Sequence, residues 1–508
     1  MVRPRAVGPL PRARTPSRSP SLQRIAPLPR TLPVWVLPVL WTVALGSWGL
    51  SRQGSVWRDE AATWLVARRS TAEICNMLEN VDVVHGCYYL LMHMLFECFG
   101  AGTTTLRLPS VLALAVAAGC VAVIGQRLAG TWAGLAGGLA LGMLPAVQFH
   151  LQEGRPYALV AAGAGISTLL LVTVLQEGGA GARWFGYGGT VALMGLLNWL
   201  SLMILAAHLV TLLWCGVRRE VWLRWTAAAV SAFLCALPLI LFSRGQAGQV
   251  AWIPPLTWHM MIGPAVLLAI GGLGALLDAP RSRRLSAAAV GLPLLAVPQL
   301  GLAVASLFRP LFLDRYVLYS MLGLALLIGV CVGAAARAVG CRHAGAARWV
   351  LPVTVAVAMA GLLPQSLEKR SSASRVDDVM ALASEVRRTK EAGDAVLFLP
   401  SDRRDAKSVS PGAFAGLRDI ALYEDPVASG TLRGVEASPR RIRAAMLRQR
   451  RIVLVTAAAA VARPVTGERD RMKAAVLRTH FRLVSDEEVR GRRLTVYVRV
   501  AGAPSGAG

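Results

Sequence analysis

The stretch SVWRDEAATWLVARRS, Ser55 to Ser70, decides how the rest of the chain is read. It comes just after PVWVLPVLWTVALGSWGL, Pro33–Leu50, and sets Arg58, Asp59 and Glu60 between Trp57 and Trp64. A helix of about 20 apolar residues crosses a bilayer. Two adjacent carboxylates at the water boundary after such a run have two uses. They either open a surface helix, whose dipole favours them, or they do chemistry there.

The whole chain supports the membrane half of that reading. Of 508 residues, 55% are hydrophobic and 16% charged, where a soluble domain carries about 25% charged. Mean hydropathy is +0.52. Between Thr103 and Pro364 there is no lysine, and the acidic residues are Glu153, Glu177, Glu220, Asp278 and Asp314 alone. A charge at mid-bilayer depth costs roughly 2.5–3.5 kcal/mol on the mildest scale, so these few belong in loops or are kept for a purpose. The net charge of +26 does not mark a nucleic-acid binder, because its arginines lie in short loops and at the two ends. The eight cysteines are scattered, with no metal-ligand or disulfide spacing.

Apolar runs fall at roughly 33–50, 108–126, 132–150, 157–175, 185–200, 202–216, 226–243, 259–277, 286–306, 311–333 and 349–364. The expected fold is a polytopic α-helical membrane protein of about eleven spans with a C-terminal α/β domain. A basic tail, residues 1–32, is expected to be disordered and cytoplasmic by the positive-inside rule. The loops then expected inside carry Arg127, Arg183, Arg218/Arg219/Arg224, Arg281/Arg283/Arg284 and Arg337/Arg342/Arg348. The short loops expected outside carry only Arg155, Arg244, Arg309 and Arg315.

Within the membrane domain, 33–364, the first external loop, 51–107, is more than a connector. STAEICNMLEN opens with Ser70 and Glu73 at capping-box spacing and puts Ile74, Met77 and Leu78 on one helical face. CYYLLMHMLFECFG is apolar but too short to span, and is expected to be a juxtamembrane helix. From Gln365 the chain changes character. VDDVMALASEVRRTKEAGDAVLFLPS and SPRRIRAAMLRQRRIVLVTA each read as helix then strand, and RLVSDEEVRGRRLTVYVRV as strands around a turn. Residues 365–508 are therefore expected to form a soluble α/β domain outside the membrane.

Four polar clusters converge on that outer face: WRDEAATW, DVVHGCYYLLMH, QFHLQEGRPYALV and FRPLFLDRYVLYS. Taken singly, Glu153 with Arg155 reads as a surface pair, Arg315 as an interfacial arginine, and His85 and His93 as surface or packed histidines. Their placement on one side is what sets them apart.

Those clusters, with LRLPSVLALAVAAGCVAVIGQRLAGTWAGLAGGLALGMLPAVQFHLQEGRPYAL and DRYVL, resemble the GT-C membrane glycosyltransferases. The branch resembled is family 39, which holds protein O-mannosyltransferases and the aminoarabinose transferases of lipid A. The likeness runs in order over roughly residues 33–333. GDAVLFLP and GLRDIALYEDPVASGTLRG resemble stretches of actinobacterial relatives. Where the family has His-Pro-Pro, this chain has His85, Gly86 and Cys87, with Tyr89 kept.

The resemblance implies transfer of a sugar, mannose first, from a polyprenyl-phosphate donor to a hydroxyl outside the membrane, with inversion. It implies Asp59 as the catalytic carboxylate and Glu60 as its neighbour in the acidic motif. His85, Tyr89, Glu153, Arg155 and Tyr157 would line the site, and Arg315 with Tyr316 would face the donor phosphate. Protein, lipoglycan and cell-wall polysaccharide all remain as acceptors. No cofactor is expected and no metal ligands are assigned, with metal dependence left open. Two other classes stand beside this reading: a transporter or flippase of polyprenyl-linked envelope precursor, and a non-catalytic envelope scaffold.

Overall fold

The computed structural model describes residues 32–50, 54–178, 181–250, 252–278, 285–343, 345–375, 377–462, 464–465 and 467–500. Residues 1–31 of the basic tail and the Arg281/Arg283/Arg284 group lie outside the described residues. Four helices open the described chain: α1 (Val36–Ser47), α2 (Arg58–Ala67), α3 (Thr71–Asn80) and α4 (Gly86–Phe99). Asp59 and Glu60 occupy the first turn of α2. The Ser70 side chain accepts from Glu73 N–H at 3.4 Å, and the Glu73 carboxylate accepts from Ser70 N–H at 2.8 Å. This is the expected capping box, and α3 buries Ile74 and Met77 as its spacing requires. Ser70→Ala should cost about 0.5–2 kcal/mol, read as a lower thermal midpoint; an unchanged midpoint would show the box to be idle.

The apolar helices follow: α5 (Thr103–Ala129), α6 (Thr131–Met143), α7 (Pro145–His150), α8 (Tyr157–Glu177), α9 (Gly181–Leu197), α10 (Met203–Cys215), α11 (Arg219–Ser243), α12 (Ile262–Leu276), α13 (Ala287–Phe308), α14 (Met321–Arg342) and α15 (Ala347–Arg370). Among the described residues, seven helical stretches are long and apolar enough to cross a membrane, and three shorter apolar helices accompany them. Several expected spans are interrupted. The run 132–150 breaks because Pro145 forces Leu144 out of the helical region, to ψ 130°. The run 311–333 begins as a 3₁₀ turn, Asp314–Ser320, before α14. At its far end α15 carries Pro364 in its interior and continues to Arg370, so the last apolar helix outruns the expected boundary at residue 364.

Small residues let the central helices approach closely. A Cβ on Gly134 of α6 would collide with the Ala122 carbonyl of α5, and one on Gly329 of α14 with the Ala133 carbonyl of α6. α5 and α14 are mostly buried, whereas α11, α12 and α15 are mostly exposed and apolar. Such faces are suited to lipid.

The C-terminal region holds α16 (Val379–Thr389), three further helices and a five-stranded mixed sheet. Its strands run β1 (Ala395–Phe398), β2 (Arg418–Asp419), β5 (Arg451–Ala457), β6 (Phe481–Val489) and β7 (Arg492–Arg499), in the order β2-β1-β5-β7-β6. β3 (Leu422–Glu424) and β4 (Val435–Glu436) form a separate pair. β1 lies parallel to β2 and β5, while β7 lies antiparallel to β5 and β6. Arg490 and Gly491, both at positive φ, turn β6 into β7, as a two-residue hairpin requires.

One face of this sheet packs on Ile442, Met446, Val476 and Leu477. Val379, Leu382, Val386 and Phe398 instead share a core with Val56, Ala61 and Trp64 beside the acidic pair. The backbone is joined as well: Trp57 bridges Asp378, and Val379 N–H donates to the Val56 carbonyl at 2.9 Å.

Candidate active site

Neighbours on a helix point about 100° apart, and this separates the two carboxylates of WRDE. Asp59 turns to a mouth shared with the 3₁₀ turn before α14. Its Oδ2 accepts from Arg315 Nη1 at 2.6 Å, with the two side chains 13% and 16% exposed. The Arg315 guanidinium lies 5.8 Å from the Tyr157 and Tyr316 ring centroids and 5.6 Å from that of Trp252. Glu60 turns inward and is fully buried. Its Oε1 accepts from Arg107 Nε at 2.8 Å and Gly154 N–H at 2.9 Å, and its Oε2 from Arg107 Nη2 at 2.7 Å. The sequence set Glu60 beside Asp59 as one acidic motif; the structure gives it a separate, enclosed environment with both oxygens engaged.

A second chain of contacts runs from Asp59 through the first loop. Arg155 Nη1 donates to the Asp59 carbonyl at 3.3 Å, and its Nη2 donates to His85 Nε2 at 3.1 Å. An arginine only donates, so His85 must accept at Nε2 and carry its proton on Nδ1. That proton meets Asp82 Oδ1 at 2.9 Å, and the Tyr89 hydroxyl donates to Asp82 Oδ2. Asp82 itself stands at φ 64°, a left-handed conformation that aspartate tolerates better than most residues.

Glu153 is buried, with Oε2 on His150 Nδ1 and Oε1 without a partner among the described residues. A cavity of about 620 Å³ opens beside these groups. His85, Tyr157 and Tyr316 line it, as do Asn198, Arg244 and Arg309. Arg315, paired with Asp59, lies near both of these tyrosine rings but does not itself line the cavity.

Burial works to raise the Asp59 pKa, but the guanidinium groups of Arg155, Arg315 and Arg58 outweigh it and hold the carboxyl below the ordinary aspartate range. Burial and then Arg155 push the His85 imidazole down, against the opposing pull of Asp82. Both groups are therefore in their unprotonated forms at neutral pH. A histidine depressed on folding binds protons more readily unfolded, so stability is lost as pH falls below its unfolded value of about 6.5. The thermal midpoint of the solubilised chain is expected to fall from pH 7 to pH 5, and His85→Gln to make that fall shallower. Equal slopes would remove His85 from the account.

Three residues of this constellation were not named as candidates from the sequence: Asp82, Arg107 and Trp252. Asp82 had a local signal, since it stands three residues before His85 and seven before Tyr89. Arg107 also had one, as the single charge at the head of a long apolar helix. Trp252 had none, because only the fold brings it in. Among the described residues, no group of three or more His, Cys, Asp or Glu side chains is arranged to hold a metal ion.

No known protein-family model matches the chain, and no curated protein sequence matches it. Among solved structures it is similar to ArnT from Cupriavidus metallidurans bound to undecaprenyl phosphate. That likeness has 15% identity and a TM-score of 0.57, and covers 93% of this chain and 99% of that one. It is also similar to the archaeal oligosaccharyltransferase AglB from Archaeoglobus fulgidus in complex with an inhibitory peptide and a dolichol-phosphate. There the identity is 11% and the TM-score 0.51, over 83% of this chain and 69% of that one. At such identities the likeness shows the fold: a GT-C-like, multi-pass helical membrane protein with a C-terminal mixed α/β region.

Proposed function

We propose that the chain is a glycosyltransferase that moves a sugar from a polyprenyl-phosphate donor to a hydroxyl acceptor at the outer face of the membrane. Mannose is the sugar first assigned, with inversion at the anomeric carbon. The observation that carries this reading is the Asp59–Arg315 pair next to Tyr157 and Tyr316, two residues that line the 620 Å³ cavity. It places a carboxylate and a phosphate-seeking guanidinium side by side at the head of an apolar helix. Further support comes from the fold neighbours, one bound to undecaprenyl phosphate and one to dolichol-phosphate.

In this reading the donor phosphate approaches Arg315 beside Tyr316, and the sugar occupies the cavity near Tyr157 and His85. The acceptor hydroxyl loses its proton to Asp59 as its oxygen attacks the anomeric carbon. The bond from that carbon to the phosphate oxygen breaks, and polyprenyl phosphate leaves with the charge that Arg315 meets. A carboxylate held below the usual range is a weak base. As the phosphate draws Arg315 away, Asp59 loses part of what holds its proton affinity down. The donor thus primes its own base.

Arg155, His85, Asp82 and Tyr89 fix the backbone at Asp59, while Glu60 and Glu153 serve the surrounding scaffold. The N-terminus lies on the cytoplasmic side and the C-terminal region outside. The test is transfer of label from radiolabelled polyprenyl-phosphate-mannose by membranes containing the chain. Label in acceptor material, absent from membranes lacking the chain, is expected. No transfer from mannose or from other polyprenyl-phosphate sugars would overturn the reading.

A further inference from the structure

The segment between α15 and α16 carries an arginine that the proposed reaction does not use. Arg375 is only 2% exposed. Its Nη2 donates to the Gln152 carbonyl, and its guanidinium lies 4.5 Å from the Phe149 ring centroid. The other two guanidinium nitrogens, Nε and Nη1, are buried with no hydrogen-bond partner among the described residues, as is Glu153 Oε1. Glu60 and Glu153 both attract Arg375, and Arg107 repels it. A buried cation with idle donors is costly unless nearby charge compensates it. The nearby opposite charges are Glu60, in the first turn of α2, and Glu153, next to the Gln152 carbonyl that Arg375 holds.

Three residues further on, Asp378 takes hold of the other loop. Its Oδ1 accepts from Val56 N–H at 3.3 Å, and the Trp57 bridge follows. Phe149, under Arg375, meets Trp57 edge-on at 6.2 Å. One short segment therefore grips residues 149–152, which lead into Arg155, and residues 56–57, which lead into Asp59.

We infer that Arg375 is a positioning residue: from outside the membrane helices it holds the Arg155 loop against the Asp59 turn and balances the buried charge of Glu153. The catalytic consequence rests on the glycosyltransferase reading; the charge balance does not.

The test uses the full chain with Arg375→Met, Arg375→Lys, Glu153→Gln and the double variant Arg375→Met/Glu153→Gln. Misplacing the two loops should lower kcat for sugar transfer by about 10–100-fold in Arg375→Met. The donor KM should stay within about twofold, since Arg375 does not line the cavity. Arg375→Lys, which keeps the charge and loses the planar fork, should recover part of kcat. In thermal unfolding, Arg375→Met should melt lower than the parent, and adding Glu153→Gln should bring the midpoint back up.

A parent-like kcat in Arg375→Met would overturn the positioning role. A double variant whose losses simply add would overturn the charge balance. Should Arg375→Met not accumulate, Arg375→Lys and the double variant carry both comparisons. If the parent itself transfers no sugar, the functional reading falls, while the melting series still judges the contact.

Discussion

Asp59→Asn is expected to reduce sugar transfer by about 10²–10⁴-fold, the usual worth of a positioned general base. The substitution keeps the size of the side chain and leaves an amide oxygen able to accept from Arg315. What it removes is the negative charge and the capacity to take a proton. The loss should therefore fall on kcat. The donor KM should hold or drop, because an Arg315 released from its carboxylate, now 2.6 Å away, meets the phosphate more freely. Measuring kcat and donor KM separately in membranes at matched expression decides the matter. An unchanged kcat would remove Asp59 from the chemistry. It would also favour an acceptor that arrives already ionised and needs no base.

Glu60→Gln is expected to show its largest effect in stability. The Glu60–Arg107 pair is fully buried on both sides, and breaking such a pair by removing one charge costs about 3–5 kcal/mol. The orphaned Arg107 would keep its bond to the Ser55 carbonyl at 2.6 Å but lose its counter-charge. Gly154 N–H would also meet a weaker acceptor, loosening the loop that carries Arg155. Denaturation of the solubilised protein should show the loss. The paired replacement Glu60→Gln/Arg107→Met should cost less than the two single changes summed. Strict additivity would mean that the two side chains stabilise the fold independently.

Much of the fold was legible because its signals are short-range. The capping box at Ser70 and Glu73, the hairpin at Arg490 and Gly491, and the helix-then-strand order around Gly393 each declare themselves within a few residues. Asp59, His85, Arg155 and Arg315 each read as ordinary when taken singly and came forward through their shared side and the family resemblance; the structure brings them within hydrogen-bonding reach of one another. What stayed hidden needed contacts between distant residues. Nothing in WRDE says that Glu60 will face Arg107 across 47 positions, or that Val56 will meet Asp378 across 322. Pro145 did carry a local signal for the break at Leu144, but the apolar run around it masked that signal. The C-terminal region was legible as α/β in type but not in attachment, since the pattern of Val379, Leu382 and Val386 marks a buried face without saying what covers it.

The clasp between Asp378 and Val56 also sets an order in time. A ribosome adds about 5–20 residues per second, so the 322 positions between these two residues correspond to about 15–60 s of synthesis. Through that interval Asp59 has already been made while the strand partner of Trp57 has not. The membrane helices can insert and pack before the acidic turn receives its final support. The acidic turn therefore gains its backbone support only after the intervening apolar helices have been made, and a chain stopped before Asp378 would leave Val56 and Trp57 without that support.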